Sequence, residues 1–124
     1  MEEYAVDVRY RDVDPLRHVD HVEYVAYMQE ARMAYLEEKF DMTARGLEVI
    51  VVHVEVDYES EIDLGDDVTV GVECTDPGSS SFRAVYEIRA DGELAATGET
   101  VQLAADADTV EPIELPDDWR TEMA

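Results

Sequence analysis

Near the start of the chain, residues 10–24 read YRDVDPLRHVDHVEY and gather Tyr10, Asp12, Asp14, His18, Asp20, His21 and Tyr24, side chains able to move protons or accept hydrogen bonds. What they can do together depends on where the chain becomes helical. From His21 to about Phe40 there is no Gly or Pro, and Asp20 is well placed as an N-cap. A helix N-terminus presents unpaired N–H groups and a partial positive charge, so a carbonyl oxygen placed there is polarised toward an oxyanion. Asp14 stands just upstream, and Pro15 restricts it to an extended conformation. If the loop folds back, the Asp14 carboxylate addresses the carbonyl carbon while the amide at His21 or Val22 holds the oxygen. One such donor is typically worth about 10² to 10³ in rate. Spacing alone leaves a plainer reading open, in which Asp14 caps or turns the chain through local hydrogen bonds.

The other reactive residues carry less. His18, Asp20 and His21 with Asp14 offer nitrogen and oxygen ligands, but consecutive side chains at a helix start diverge and no second ligand group is evident, so no metal is expected. Asp12 organises the loop. His53 falls on the polar face of a strand pattern, and Cys74 alternates with core valines, which favours burial over nucleophilic use.

The elements that position this cluster follow from hydrophobic periodicity. Residues 4–10 have short-strand character and lead into the loop. In the helix, Glu23, Glu30 and Glu37 form a narrow polar stripe, while Tyr24, Val25, Met28, Ala31, Tyr35 and Leu36 cover much of the rest, which predicts a helix mostly wrapped by protein. Beyond Gly46 the period changes to two. Val52, Val54, Val56 and Tyr58 alternate with polar residues as a half-buried strand. Val68 to Cys74 and Phe82 to Ile88 repeat the pattern, and Asp91-Gly92 is a hairpin signal before a last strand near 94–104. The tail, with Pro112 and Pro116, is expected to run irregularly. With no second helix available for a parallel crossover, the order implies an antiparallel sheet curled round one helix.

Composition narrows the function classes. Against 32 Asp and Glu stand only 9 Lys and Arg, a formal net charge of −23, while hydrophobic residues make up 46% of the chain. That hydrophobicity excludes an acidic disordered chain. The scattered cations exclude a nucleic-acid footprint and disfavour an anionic membrane surface. Self-repulsion on this scale is tolerable in concentrated salt, where the Debye length falls to about 3 Å at 1 M, and the surface is read as a halophilic adaptation. Cys74 is the single cysteine and the N-terminus lacks a signal-peptide pattern, so a reducing, cytoplasmic setting is expected.

The loop and helix resemble those of the acyl-CoA thioesterases related to 4-hydroxybenzoyl-CoA thioesterase, whose signature is a DxD loop followed by a long helix, and the resemblance covers nearly the whole chain. Asp12, Asp14 and Pro15 match the DxDP pattern, which implies that Asp14 is catalytic. His21 stands where one branch has a histidine, with its backbone amide implied as the oxyanion donor, and Tyr10 matches that branch's tyrosine. Tyr24 fits the helix tyrosine, and Glu30, Ala31 and Arg32 match the common EAR sequence. Tyr58 with Leu64, Gly65 and Asp66, the GSSSF run and the DGELAATGE hairpin look like the family's later strands. Where many relatives have Gly and then HVNN, this chain has Arg17 and HVDH. Arg17 is either a contact for an anionic substrate group or a solvated loop residue; His18 is structural or substrate-adjacent. These two and Tyr24 form the implied substrate-contacting set.

The resemblance implies an α+β hot-dog fold over residues 1–124 as one domain, a curled antiparallel sheet of about five strands wrapped round one long helix. It implies hydrolysis of an acyl-CoA to a carboxylic acid and CoA without a cofactor. A homodimer or homotetramer is also implied, with helices packed across the dimer and active sites between subunits. A thioester suits modest machinery, because its thiol leaving group has a reference pKa of about 8.5 and needs little help from a general acid. Asp14 is then a general base on water or a nucleophile forming a mixed anhydride, and His21 orients water or donates a proton. The competing classes are a non-catalytic module that holds an acyl-thioester, and a dehydratase, for which no distinct motif is present.

Overall fold

Twenty residues without Gly or Pro, capped at both ends, form the helix α1, His21–Phe40. Asp20 is extended and its carboxylate accepts from the Val22 amide, while Asp41 at the other end takes a left-handed φ of 53° and its N–H closes on the Glu37 carbonyl. The computed structural model describes all of residues 1–124. Around α1 lie five strands: β1 (Glu2–Val6), β2 (Leu47–Tyr58), β3 (Val68–Thr75), β4 (Ser81–Ala90) and β5 (Glu93–Asp106). They form one antiparallel sheet in the order β1-β3-β4-β5-β2. β4 and β5 are joined at Asp91-Gly92, both at positive φ (51° and 83°), the backbone a two-residue hairpin requires. The α+β hot-dog architecture expected from the sequence is therefore the one observed.

Alternate residues of β3 and β4, including Val70, Val72, Phe82, Tyr86 and Ile88, join Tyr27, Met28, Ala31, Tyr35 and Leu36 of the helix in one buried cluster. Gly98 of β5 lets the helix come close, since a Cβ there would lie 2.7 Å from the Met28 sulfur. No helix is long and apolar enough to cross a membrane.

Three elements differ from the sequence reading. The strand expected over 4–10 stops at Val6, where it pairs with Val68, and Tyr10–Asp12 is a 3-10 turn. Asp12 forces that turn, its carboxylate accepting the Arg9 amide at 2.9 Å. β2 starts earlier than expected and is an edge strand with a bulge between Val51 and His53. α1 packs mainly over β1, β3 and β4, and of the apolar residues of β2 Leu47, Val49 and Val56 pack against the core while Val51, Val52 and Val54 stay open. Val52 and Val54 are 56% and 42% exposed, so the strand is not half-buried as its alternation suggested. The tail ends in a short helix α2, Asp117–Met123, instead of running irregularly. Pro116 sets its entry, Asp117 and Asp118 suit its first turn, and Trp119 and Met123 bury one face. Trp119 stacks on Phe40 at 4.9 Å and meets Phe82 edge-on.

Candidate active site

The turn that carries Asp14 is a small hairpin held by its own backbone. Val13 and Val19 form an isolated bridge, the Asp14 amide donates to the His18 carbonyl at 2.9 Å, and the Arg17 amide donates to the Asp14 carbonyl at 2.9 Å. Arg17 closes the turn in the left-handed region at φ 68°. That value explains why a glycine suits this position in the motif. Within the turn, Asp14 Oδ1 accepts the Leu16 amide at 2.9 Å and the His18 amide at 3.1 Å, and Asp14 Oδ2 has no partner in the protein. One oxygen builds the turn and the other is available.

Asp12 fixes the turn to the helix, as expected of a loop organiser. It is buried, its Oδ2 accepts the Tyr27 hydroxyl at 2.8 Å, and its carbonyl accepts the Asp20 amide at 2.9 Å. Burial, followed by the hydrogen bond to Asp12, pushes the Tyr27 phenol well above its ordinary value, so it stays a donor.

At the helix head the two candidate oxyanion donors separate. The Val22 amide donates to the Asp20 carboxylate at 3.3 Å, whereas the His21 amide donates to no group of the protein. The His21 ring is exposed, with Nδ1 3.2 Å from Asp20. From the end of β2, the Tyr58 hydroxyl donates to the His21 carbonyl at 2.8 Å, and its ring meets Tyr24 edge-on at 4.9 Å. Tyr24 in turn donates to the Ser60 carbonyl at 3.2 Å, and burial raises its phenol pKa. Both tyrosines brace the helix head and present rings rather than free hydroxyls.

These groups line one open cleft of about 530 Å³, walled by Asp14, Leu16, His18, Asp20, His21, Tyr24 and Tyr58 and closed by the segment from Glu59 to Glu61. The structure thus brings together Asp14, His18, His21 and Tyr24. It places Tyr10 and Arg17 on the other side of the turn, where they share a second hollow with Asp14, Pro15 and Leu64; Tyr10 is 83% exposed. Tyr58, Glu59, Ser60, Glu61 and Leu16 do not stand out as site residues in the sequence. The one available signal is the end of the period-two pattern at Tyr58, which delivers the next residues to the helix head. Cys74 is buried and its thiol is pushed up to about 12 by desolvation, away from any nucleophilic role.

Across the mouth of the cleft, His18 faces two carboxylates, with Nδ1 2.6 Å from Asp63 Oδ1 and Nε2 3.2 Å from Glu61 Oε2. The hydrogen bond to Asp63 is the main cause that raises its pKa, against a smaller opposing effect of desolvation. Here and at His53, Glu55 and Glu99, three possible ligand atoms lie within 4.8 Å of one another. In the first group the two ring nitrogens each face a different acid. In the second, Glu99 is already paired with Arg83 at 3.1 Å.

A curled five-stranded sheet round one helix, with an acid-bearing turn at the helix head, defines a hot-dog protein. The chain belongs to the Thioesterase-like superfamily, whose model matches residues 8–122. A thioesterase from Thermus thermophilus, solved with coenzyme A and Zn, is 38% identical over 97% of this chain and 94% of that one, with a TM-score of 0.83. The DHNA-CoA thioesterase of Staphylococcus aureus is 26% identical over 97% of this chain and 86% of its own, with a TM-score of 0.84. A 1,4-dihydroxy-2-naphthoyl-CoA thioesterase from Synechocystis shares the fold at 21% identity, covering 98% of this chain and 93% of that one, with a TM-score of 0.82. No curated protein gives a sequence match.

Proposed function

We propose that the protein hydrolyses an acyl-CoA thioester in the cleft at the head of α1, with Asp14 as the catalytic carboxylate and the His21 amide as the oxyanion donor. The observation that carries this reading is the pairing of a carboxylate oxygen without a partner and an amide without an acceptor on one cleft. In the general-base route, Asp14 Oδ2 takes a proton from water as the water oxygen bonds to the thioester carbon. Negative charge gathers on the carbonyl oxygen, where the His21 N–H and the helix dipole stabilise it. Collapse breaks the C–S bond and expels the thiolate of CoA, which takes up a proton. In the nucleophilic route, the same oxygen attacks directly, and water then opens the anhydride. The His21 ring, beside the donor amide, is suited to orienting water. Tyr10 is proposed to act from the second hollow behind Asp14, and Arg17 from the same side toward anionic parts of the substrate; Tyr24 and His18 line the acyl side.

The test is CoA release from a panel of acyl-CoA esters in concentrated KCl. Asp14→Asn is expected to lower kcat by about 10² to 10⁴. Its folded state should persist, because the Asn carbonyl still accepts the Leu16 and His18 amides. Equal turnover by the variant would refute the assignment, and acyl-CoA binding without turnover by the native protein would favour the binding module. Single turnover in ¹⁸O-water tests the nucleophilic route, since label enters the Asp14 carboxylate only when water opens an anhydride at the Asp14 carbonyl carbon.

The open β2 edge and its exposed valines support a homodimer as the working assembly, with a homotetramer as its doubling. The acidic surface supports function in concentrated salt, and the lone buried Cys74 accords with a cytoplasmic setting.

A further inference from the structure

The His18 ring stands between two loops. Its backbone forms an isolated bridge with Asp63, the adjacent Val19 amide donates to the Ile62 carbonyl at 2.7 Å, and Leu64 donates to the Arg17 carbonyl at 3.3 Å. The His18 amide is also one of the two donors that hold Asp14 Oδ1. The side chain adds a second tie across the same seam, to Asp63 through Nδ1 and to Glu61 through Nε2. A neutral imidazole has one N–H and one lone pair, so it can satisfy only one of two carboxylates and turns a lone pair toward the other. Both contacts are favourable only for the doubly protonated ring.

We infer that His18 is a positioning residue for Asp14, an imidazolium clasp that locks the Asp14 turn to the loop following β2. The charged groups around the ring favour this state. Asp14 belongs to its own turn, Glu61 and Asp63 to the opposing loop, Asp20 and His21 to the helix head, and Glu59 to the far wall; Arg17 lies in the second hollow, and no Lys or Arg lines the cleft. The sign follows from this: a raised histidine pKa means the clasp is complete at low pH and is lost as pH rises through the folded-state value. Opening it releases one wall of the turn whose amides aim the catalytic carboxylate, so kcat rather than KM responds. Asp63 does not line the cleft, which makes it the residue through which the clasp can be weakened without touching substrate.

The inference rests on the thioesterase reading, and the experiment separates the two. The titration of the three histidines is followed by NMR with ¹⁵N-labelled His, and His18→Gln assigns the His18 signal. Asp63→Asn should move the His18 titration to lower pH than in the native protein. In parallel, the alkaline limb of kcat should move down with it, giving about tenfold lower kcat on that limb with unchanged KM and an unchanged acidic limb. An unmoved His18 titration in Asp63→Asn overturns the clasp even if thioester turnover is intact. The same holds if one equivalent of Zn²⁺ abolishes the His18 titration, which would put a metal where the proton is assigned. If the NMR shift appears but no acyl-CoA is cleaved, the clasp stands and the thioesterase reading falls.

Discussion

Asp14 commits one oxygen to its turn and leaves the other without a partner, which explains why an aspartate before a helix supports both a plain and a catalytic reading. Oδ1 does what short polar side chains do in turns, and Oδ2 is the atom left over. The turn has one strained member. Arg17 is exposed and held at φ 68°, a conformation that costs a non-glycine residue about 1–2 kcal/mol. Glycine removes that cost but loses more entropy on folding, about 0.5–1 kcal/mol. Arg17→Gly is therefore expected to stabilise the protein by up to about 1 kcal/mol, read as a higher urea midpoint at unchanged m. If Arg17 meets an anionic part of the substrate, KM rises in the same variant; if it is a solvated loop residue, KM stays.

At the scale of elements, the helix and its caps are legible because a Gly- and Pro-free run with Asp20 before it admits little else, and the strands are legible from period two. What the sequence hides depends on partners distant along the chain. The alternation in β2 says that one face is apolar but not what covers it, and α1 packs mainly over β1, β3 and β4. The α2 helix is hidden by Pro112 and Pro116, and packing of Trp119 on Phe40 and Phe82 adds what its local start signals do not supply. In the site, the position of Asp14 and of the His21 amide follows from the helix start, whereas Tyr58 and the Glu59–Glu61 wall arrive from the far end of a long strand. Arg32 stands in the sequence only as part of a motif, yet it is 4% exposed inside the core. Its Nη1 donates to the Tyr86 hydroxyl at 3.2 Å, its Nε has no partner, and no carboxylate pairs with it. Tyr86 keeps a second partner, Thr100 Oγ1 at 2.7 Å. A buried cation without a counterion is costly to desolvate, and replacement of buried ionic groups by apolar ones of similar volume commonly stabilises by about 1–4 kcal/mol. Arg32→Met is expected to raise the stability of the fold in urea by about 1–3 kcal/mol. Destabilisation would show that the guanidinium is needed by the helix-to-sheet network.

For the whole molecule, charge and the open edge of β2 act on the same equilibrium. The twelve residues of β2 are paired on one side only, with Val51, Val52 and Val54 at 38%, 56% and 42% exposure, an edge of the kind that recruits another strand. A second copy is the occupant with the matching pattern, since an isologous dimer sets like surface against like. That same symmetry brings Glu55 and Asp57 of one copy toward those of the other, on protomers that each carry −23. Attraction from apolar burial is indifferent to dilute salt, while the repulsion is not, because the screening length contracts from about 10 Å at 0.1 M to about 3 Å at 1 M. Attractive ion pairs are screened too, but 9 cations can offset only a minority of 32 acids, so the repulsive part dominates the response. The 14.0 kDa chain is therefore expected to sediment as a monomer in dilute buffer and at twice that mass in about 2 M KCl, with Tm rising over the same range. Val52→Lys with Val54→Lys should hold it monomeric in both. NaCl at equal ionic strength should reproduce KCl if screening is the cause. A dimer already complete in dilute buffer, with no change in Tm between the two conditions, would overturn the salt-gated assembly and leave the acidic surface without this role.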